Sequence, residues 1–196
     1  MKNETEIKLA VDSSRQWIET VMADFNSFLQ DHADCERKAS AMAMSFVAKY
    51  PDRKEIIPRL IATALEELKH FQQVYRIMEK RGVQLCHEMT EDLYIKQLVL
   101  LSRTGKDERL LDRLLIAAIV ECRGAERFRM VHEALAEEKL KDFYKKLYES
   151  EMNHGDVFLE MARNYFDQSE IQKRTLQLVL EEGKILNGLK LRPALH

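Results

Sequence analysis

A chain of 196 residues fits one domain and is long enough to bury a sizeable core. Its composition, 45% hydrophobic and 33% charged with only 6 Gly and 3 Pro, favours long helices over a sheet. A formal net charge of −2 gives no bulk electrostatic reason to expect nucleic acid, so any such contact must come from a local basic patch.

In chain order, the first amphipathic helix is expected to start at Ser13 or Ser14 and to run through Trp17, Ile18, Val21 and Met22. After Asn26 a longer helix carries Phe28, Leu29, Cys35, Ala39, Met42, Phe46 and Val47, and stops at Tyr50-Pro51. The next spans about Arg53 to Arg81, with Pro58 near its first turns and Gly82 as its C-terminal cap. A shorter helix follows, about Glu91 to Arg103, ending before Gly105. Two long helices come next, about Asp107 to Leu135 and Glu137 to Phe166. A last one, about Ser169 to Leu186, precedes a tail with Gly188 and Pro193. Four of these are long enough to pack as a bundle. The expected fold class is therefore all-α: a four-helix bundle with additional short helices, in a single domain over residues 1–196.

No window holds about 18 uncharged apolar residues, so no membrane-spanning helix is expected. The opening MKNETEIKLAVDSSRQW has no apolar secretory core, which points to the cytoplasm. Cys35, Cys86 and Cys122 are widely spaced, with no C-x-x-C. They read as reduced thiols and argue against a disulfide scaffold or a cysteine-ligated iron site.

The chemistry-bearing residues are four glutamates and two histidines. EELKHF gives Glu67-x-x-His70 and ESEMNHGD gives Glu151-x-x-His154. At i and i+3 both side chains leave one helix face and can reach one metal centre. Carboxylate supplies hard oxygen and imidazole a nitrogen suited to iron. One such pair is weak, because charge-rich helices produce it by chance on a solvated face. Duplication strengthens it. Glu36 precedes Glu67 by 31 residues and Glu121 precedes Glu151 by 30, while Glu67 to Glu151 and His70 to His154 are both 84. Ferritin-like di-iron bundles are built this way, with one Glu from each of two helices and Glu-x-x-His from the other two.

Two neighbouring acids, Glu66 and Glu126, compete with these positions. Glu66 lies about 100° from Glu67 around the helix and lacks the i+3 relation to His70. Glu126 would break the half-repeat that Glu121 keeps. Glu121 sits in the apolar run LLIAAIVE, where an uncompensated carboxylate is costly; the bland alternative is a core ion pair with Arg123 or Arg127. The small residues Ala39, Ser40, Ala43, Gly124 and Ala125 beside the glutamates leave two readings open: a cavity, or close helix approach. His32, one turn before Glu36, either supports the ligand or lies at the surface, and reads more readily as surface. Cys35 and Cys122 read as small core residues, and the nine methionines as core filling.

The stretches DHADCERKASAMAMSFVAKYP, EELKHFQQVYRIMEKRG, VECRGAERF and YESEMNHGDVFLEMAR resemble the tRNA hydroxylase family called MiaE, over about Gln16 to Asp167. The tail GKILNGLKLRPALH resembles the family ends less. The resemblance implies a ferritin-like, non-haem di-iron monooxygenase acting on tRNA. It would hydroxylate a terminal methyl of 2-methylthio-isopentenyl-adenosine beside the anticodon. Carried over by position, the ligands are Glu36, Glu67, His70, Glu121, Glu151 and His154.

Such chemistry needs a metal and dioxygen, since no side chain acting as acid or base removes an allylic methyl hydrogen. Without a flavin or nicotinamide motif, an external donor such as a ferredoxin or flavoprotein reductase is implied. For tRNA, the candidate cations are Arg123, Arg127, Arg129, Lys139, Lys141, Lys145 and Lys146, with Lys184, Lys190 and Arg192 toward the tail. Each of these has a plain alternative as a solvated, Glu-paired helix residue. Rival functions are iron handling or peroxide reduction as in ferritins and rubrerythrins, a related hydroxylase of a lipid or quinone, and a metal-free helical interaction protein. A monomer is expected.

Overall fold

The computed structural model describes residues 6–86 and 91–196. Among these it has seven α-helices and no strand: α1 (Arg15–Ala23), α2 (Phe25–Lys49), α3 (Ile57–Arg81), α4 (Leu93–Leu100), α5 (Lys106–Ala134), α6 (Glu138–Arg163) and α7 (Gln168–Gly188). The all-α expectation and the order of its elements hold. The start expected for α4 lies at the edge of the undescribed stretch 87–90.

Several helix ends shift, α6 for instance stopping at Arg163 rather than Phe166, and three of the shifts have a clear local reason. α2 begins before Asn26 because the Asp24 carboxylate accepts the Ser27 N–H at 3.1 Å and caps the helix there. α3 begins at Ile57 rather than Arg53, with Pro58 inside its first turn, where the missing N–H is not needed. α4 ends at Leu100, short of Arg103, because the Arg103 N–H leaves the helix for Asp112 Oδ2 at 2.8 Å. At the other end of α3, Gly82 takes φ 69° and turns its N–H back onto the last carbonyls, a left-handed cap that favours glycine.

The chain divides into two compact units. One comprises residues 19–90 and 192–195, and is built on α2 packed against α3. Its buried stripe on α3 runs Leu60, Ala64, Glu67, His70, Val74, Met78, a helical period in which two polar residues occupy apolar positions. α2 shows the same pattern with Phe28, Leu29, Ala33, Glu36, Ala43 and Phe46. Ser40 Oγ donates to the Ala64 carbonyl at 2.8 Å, so here the small residues serve close helix approach. The tail is docked on α2, where the Leu195 N–H donates to Asp31 Oδ2 at 2.7 Å.

The other unit comprises residues 1–18, 91–191 and 196, and is centred on α5 packed against α6, with α4 and α7 alongside. α5 is buried almost all round from Leu110 to Ala125, as its continuous apolar run requires. An N-terminal strap, residues 7–13, is fixed to it. Ser13 donates through its N–H and Oγ to Glu126 at 2.6 and 2.8 Å, and the Val11 carbonyl accepts from Arg123 at 2.7 Å.

Fully buried Asp112 joins three parts of this unit. It accepts from the Arg103 guanidinium at 2.9 Å and from Arg174 Nε of α7 at 2.8 Å, while Arg174 Nη2 also donates to the Leu101 carbonyl at 2.8 Å. Burial alone would raise the Asp112 carboxyl, but the bonds from Arg174 and Arg103 outweigh it and hold it below its ordinary value of 3.8. A carboxyl depressed by folding stabilises the fold fully above that ordinary value and loses the contribution as pH falls below it. Urea unfolding followed by circular dichroism should therefore show stability dropping below about pH 4. Asp112→Asn, which strips both guanidiniums of their anion, should cost roughly 3 kcal/mol at neutral pH and flatten that acid slope.

Candidate metal centre

In the unit holding α2 and α3, Glu36 comes from α2, and Glu67 and His70 from successive turns of α3. Ligand-capable atoms of the three lie within 4.8 Å of one another. His70 Nδ1 is 3.3 Å from Glu67 Oε2 and 3.8 Å from Glu36 Oε2. All three are buried, at 4, 1 and 7% exposure for Glu36, Glu67 and His70, which excludes the solvated-face reading of this Glu-x-x-His pair. Glu66 is exposed, so the choice of Glu67 over its neighbour stands.

His32 is also buried, against the expectation that it is a surface residue. Its Nε2 lies 2.7 Å from Glu36 Oε1, where the carboxylate accepts and the imidazole donates. One turn of α2 separates the two, so His32 holds the orientation of a candidate ligand. A histidine at i−4 to a ligand on a stripe that is otherwise apolar was the sequence signal for it.

In the unit holding α5 and α6, Glu121 comes from α5, and Glu151 and His154 from α6. Their ligand-capable atoms again lie within 4.8 Å of one another, and all three are buried. His154 Nδ1 is 2.8 Å from Glu151 Oε2. Each unit thus carries the same triad of two carboxylates and one imidazole.

Two carboxylates confined this closely in a buried setting repel unless a proton or a cation lies between them. Hard oxygens with an imidazole nitrogen are the donor set of iron or manganese, not of a soft thiolate-loving ion. The residues present therefore fit a divalent cation, and two buried triads of this kind are consistent with a di-metal site.

The other predicted residues separate by burial. Arg123 and Arg127, expected to contact substrate, are instead buried and do not face solvent. Arg123 is fully buried, and its donors are engaged within the protein. Nε and Nη2 donate to Glu182 at 2.8 and 3.0 Å, Nη1 to Glu126 at 2.7 Å, and Nη2 also to the Val11 carbonyl. Burial alone would lower this guanidinium, but the Glu182 bonds prevail and hold it above its usual value. These bonds also dispose of the idea that Arg123 is the ion-pair partner of Glu121. Arg127 is buried over the Trp17 ring, 4.6 Å from its centroid, and burial pulls it down to about 10, still a cation at neutral pH. By contrast Arg129, Lys139, Lys145 and Lys146 are exposed. Lys184 is paired with Glu181 at 2.6 Å, and Arg192 lies 3.7 Å from Asp31. The three cysteines are free thiols; Cys122 is buried, Cys35 partly so and Cys86 exposed.

A family model described as tRNA-(MS2IO6A)-hydroxylase (MiaE) matches residues 2–196. The chain is 39% identical over 163 residues to the tRNA 2-(methylsulfanyl)-N(6)-isopentenyladenosine(37) hydroxylase of Pseudomonas putida, covering 83% of this chain and 78% of that protein. To the protein of the same name from Salmonella typhimurium it is 33% identical over 113 residues, 58% of this chain and 41% of that one. The solved structure of a Synechococcus protein with aldehyde deformylating oxygenase activity superposes with a TM-score of 0.92 at 31% identity, covering 97% of this chain and 96% of that one. That likeness puts the chain in the ferritin-like all-α class expected from its sequence.

One further residue shapes the α5–α6 triad. Gly155 follows His154, and a Cβ there would lie 2.7 Å from Cys122 Sγ and 3.2 Å from the Ala118 carbonyl oxygen. The carbonyl is helix backbone, so a larger residue must push α6 off α5 beside Glu121 and His154. Gly155→Ala is expected to destabilise the fold by roughly 1–3 kcal/mol in urea titration. It should also weaken divalent-cation binding about ten-fold by calorimetry, with part of the loss recovered in the Cys122→Ala, Gly155→Ala double variant.

Proposed function

The chain belongs to the tRNA-(MS2IO6A)-hydroxylase (MiaE) family, and from that membership we propose that it hydroxylates the isopentenyl group of 2-methylthio-isopentenyl-adenosine in tRNA. The centre responsible is a pair of iron ions held by Glu36, Glu67, His70, Glu121, Glu151 and His154. The observation that carries this reading is the pair of matching buried triads, one in each unit. In this proposal the chain is a single domain.

Four carboxylates with two neutral imidazoles balance two divalent cations, so the bound centre is close to neutral and burial becomes tolerable. When bound, iron supplies the dioxygen-dependent oxidation that an allylic methyl C–H bond requires and that side-chain acids and bases lack. Overall, one oxygen atom of dioxygen enters the methyl group as hydroxyl. The other leaves as water, with two electrons supplied by a ferredoxin or flavoprotein reductase and two protons taken from solvent. The protein's own work is positioning. Glu36, Glu67, Glu121 and Glu151 present oxygen donors at fixed places on rigid helices, and His32 holds the Glu36 carboxylate. Burial of all six side chains excludes bulk water from the reacting groups. The setting is the cytoplasm, where tRNA and free thiols coexist; no helix among the described residues is long and apolar enough to cross a membrane.

A second reading rests on the likeness to the Synechococcus protein with aldehyde deformylating oxygenase activity. There the substrate is an aldehyde, and its test is release of the formyl carbon from added aldehydes by the reduced, iron-loaded protein.

Two outcomes are expected. Chelator-treated protein should rebind two ferrous ions per chain by metal analysis. Iron at a hundred-fold excess over its dissociation constant should add about 2.7 kcal/mol of stability per bound ion, a gain lost in Glu67→Ala and in Glu151→Ala. Deleting the gene should remove the hydroxylated nucleoside from tRNA digests read by mass spectrometry. The wild type should restore it and Glu121→Ala should not; an unchanged nucleoside profile on deletion defeats the tRNA reading.

A further inference from the structure

A cavity of about 260 Å³ lies between the N-terminal strap and the α5–α6 pair, wholly within one unit. Its floor includes Cys122 and Met152, the residues that follow Glu121 and Glu151. It therefore sits at the height of the α5–α6 triad along both helices, about a quarter turn around each. Tyr148 lines it from α6, one turn before Met152. Among the described residues half-buried Tyr148 makes no hydrogen bond and no ring-to-ring contact, unlike Tyr94, whose hydroxyl is committed to Glu182 at 2.8 Å.

The charges around the opening are uneven. Lys8 of the strap and Arg129 of α5 line it, both exposed and neither in an ion pair among the described residues. Tyr148 and Met152 continue a stripe on α6 that begins with Lys141 and Lys145, at spacings of four, three and four residues. Of the two carboxylates in the lining, Glu126 is already occupied by Arg123 and Ser13, which leaves exposed Asp12 as the opposing charge. An open aromatic face at the level of the metal ligands, rimmed by uncommitted cations, suits an unstacked base attached to a phosphate chain.

We propose that this cavity receives the prenylated adenosine of tRNA, the base stacking on Tyr148 while Lys8, Arg129, Lys141 and Lys145 take the phosphates on either side. The inference rests on the tRNA function argued above. The volume is below the roughly 300–1,000 Å³ of pockets that enclose whole small molecules, and suits one base with a short apolar tail. An enzyme that modifies a base takes it out of its stack, and the single-stranded anticodon loop lowers the energy needed to do so. Phosphates stay at the rim, where cations bind them without reading sequence. Seated this way, the base keeps its prenyl tail at the level of Glu121 and Glu151.

The test uses the full-length, iron-loaded protein and a fluorescent anticodon stem-loop RNA, with and without the 2-methylthio-isopentenyl group, followed by anisotropy. Tyr148→Ala should weaken binding of the modified loop about ten-fold, and Tyr148→Phe should retain it, since stacking needs the ring and not the hydroxyl. The Arg129→Ala, Lys145→Ala double variant should weaken both loops alike and reduce the salt dependence by about two phosphate contacts. Lys80→Ala and Lys173→Ala, exposed cations elsewhere, should bind as wild type, and iron content should stay at the wild-type level in every variant. Suppose the wild type hydroxylates tRNA, yet Tyr148→Ala and the double variant bind and turn over normally; the pocket assignment is then wrong and the tRNA function survives. If the wild type neither binds nor hydroxylates tRNA, the function fails and takes the pocket with it.

Discussion

A carboxylate can be buried only if something positive comes with it, and this protein answers that requirement in two different ways. Asp112 and Glu182 are fully buried and are met by guanidiniums: Arg103 and Arg174 for the first, Arg123 for the second. These pairs are complete within the protein, with bidentate geometry that matches the planar fork of arginine to the two carboxylate oxygens. The glutamates of the triads are arranged on another principle. Each triad sets two carboxylates and one imidazole within 4.8 Å. Imidazole is a modest base that also serves as a metal ligand, so this grouping leaves room for a cation that arginine would have displaced. The choice of neutralising partner separates acids that hold the fold from acids grouped so that they could hold an ion.

The rest of the architecture follows from placing such groups at the middle of long helices. Each triad occupies positions where the helical period calls for apolar residues, so its acids are carried into the interior by the burial of their neighbours. On α3 those neighbours are Leu60, Ala64, Val74 and Met78; on α5 they include Ala118 and Ala125. A helix pair with polar groups facing inward needs small residues to bring its backbones together. Ser40 against the Ala64 carbonyl does this for α2 and α3, and Gly155 against Cys122 and Ala118 does it for α5 and α6. The two readings of the small-residue stripe, cavity or close approach, thus divide by position: Ser40 serves approach, whereas Ala125 lines the cavity beneath the strap.

Much of this was legible in the amino-acid order because the decisive information is local and periodic. Helix order, the paired Glu-x-x-His motifs and the preference for Glu67 over Glu66 all follow from spacings within a few turns; the structure keeps the helix order, buries both pairs and leaves Glu66 exposed. What escaped has partners far away in the chain. Arg123 looked like a surface cation because its acceptors, Val11 and Glu182, lie 112 and 59 residues away. Arg127 was misread for the same reason, its Trp17 platform belonging to the first helix. His32 was read as surface although its partner Glu36 is only four residues on; the missing fact was that the whole stripe is buried. Helix ends shifted where a side chain or proline supplied a stop that propensity does not encode, as at Asp24, Pro58 and Arg103.

The same sorting of partners bears on how a chain of net charge −2 can address a polyanion. Net charge governs attraction at a distance, but a docked phosphate responds only to cations near it that are not already neutralised. Arg103, Arg123 and Arg174 are removed from that set by their acids, and Lys184 by Glu181. Lys8, Arg129 and Lys145 have no such partner among the described residues, and the first two line the same cavity. Arginines placed in buried pairs let the fold carry its acids inside, which leaves a mildly acidic protein with one locally basic rim. Structural charge and functional charge are thus held by different residues of the same helices, as Arg123 and Arg129 on α5 illustrate six positions apart.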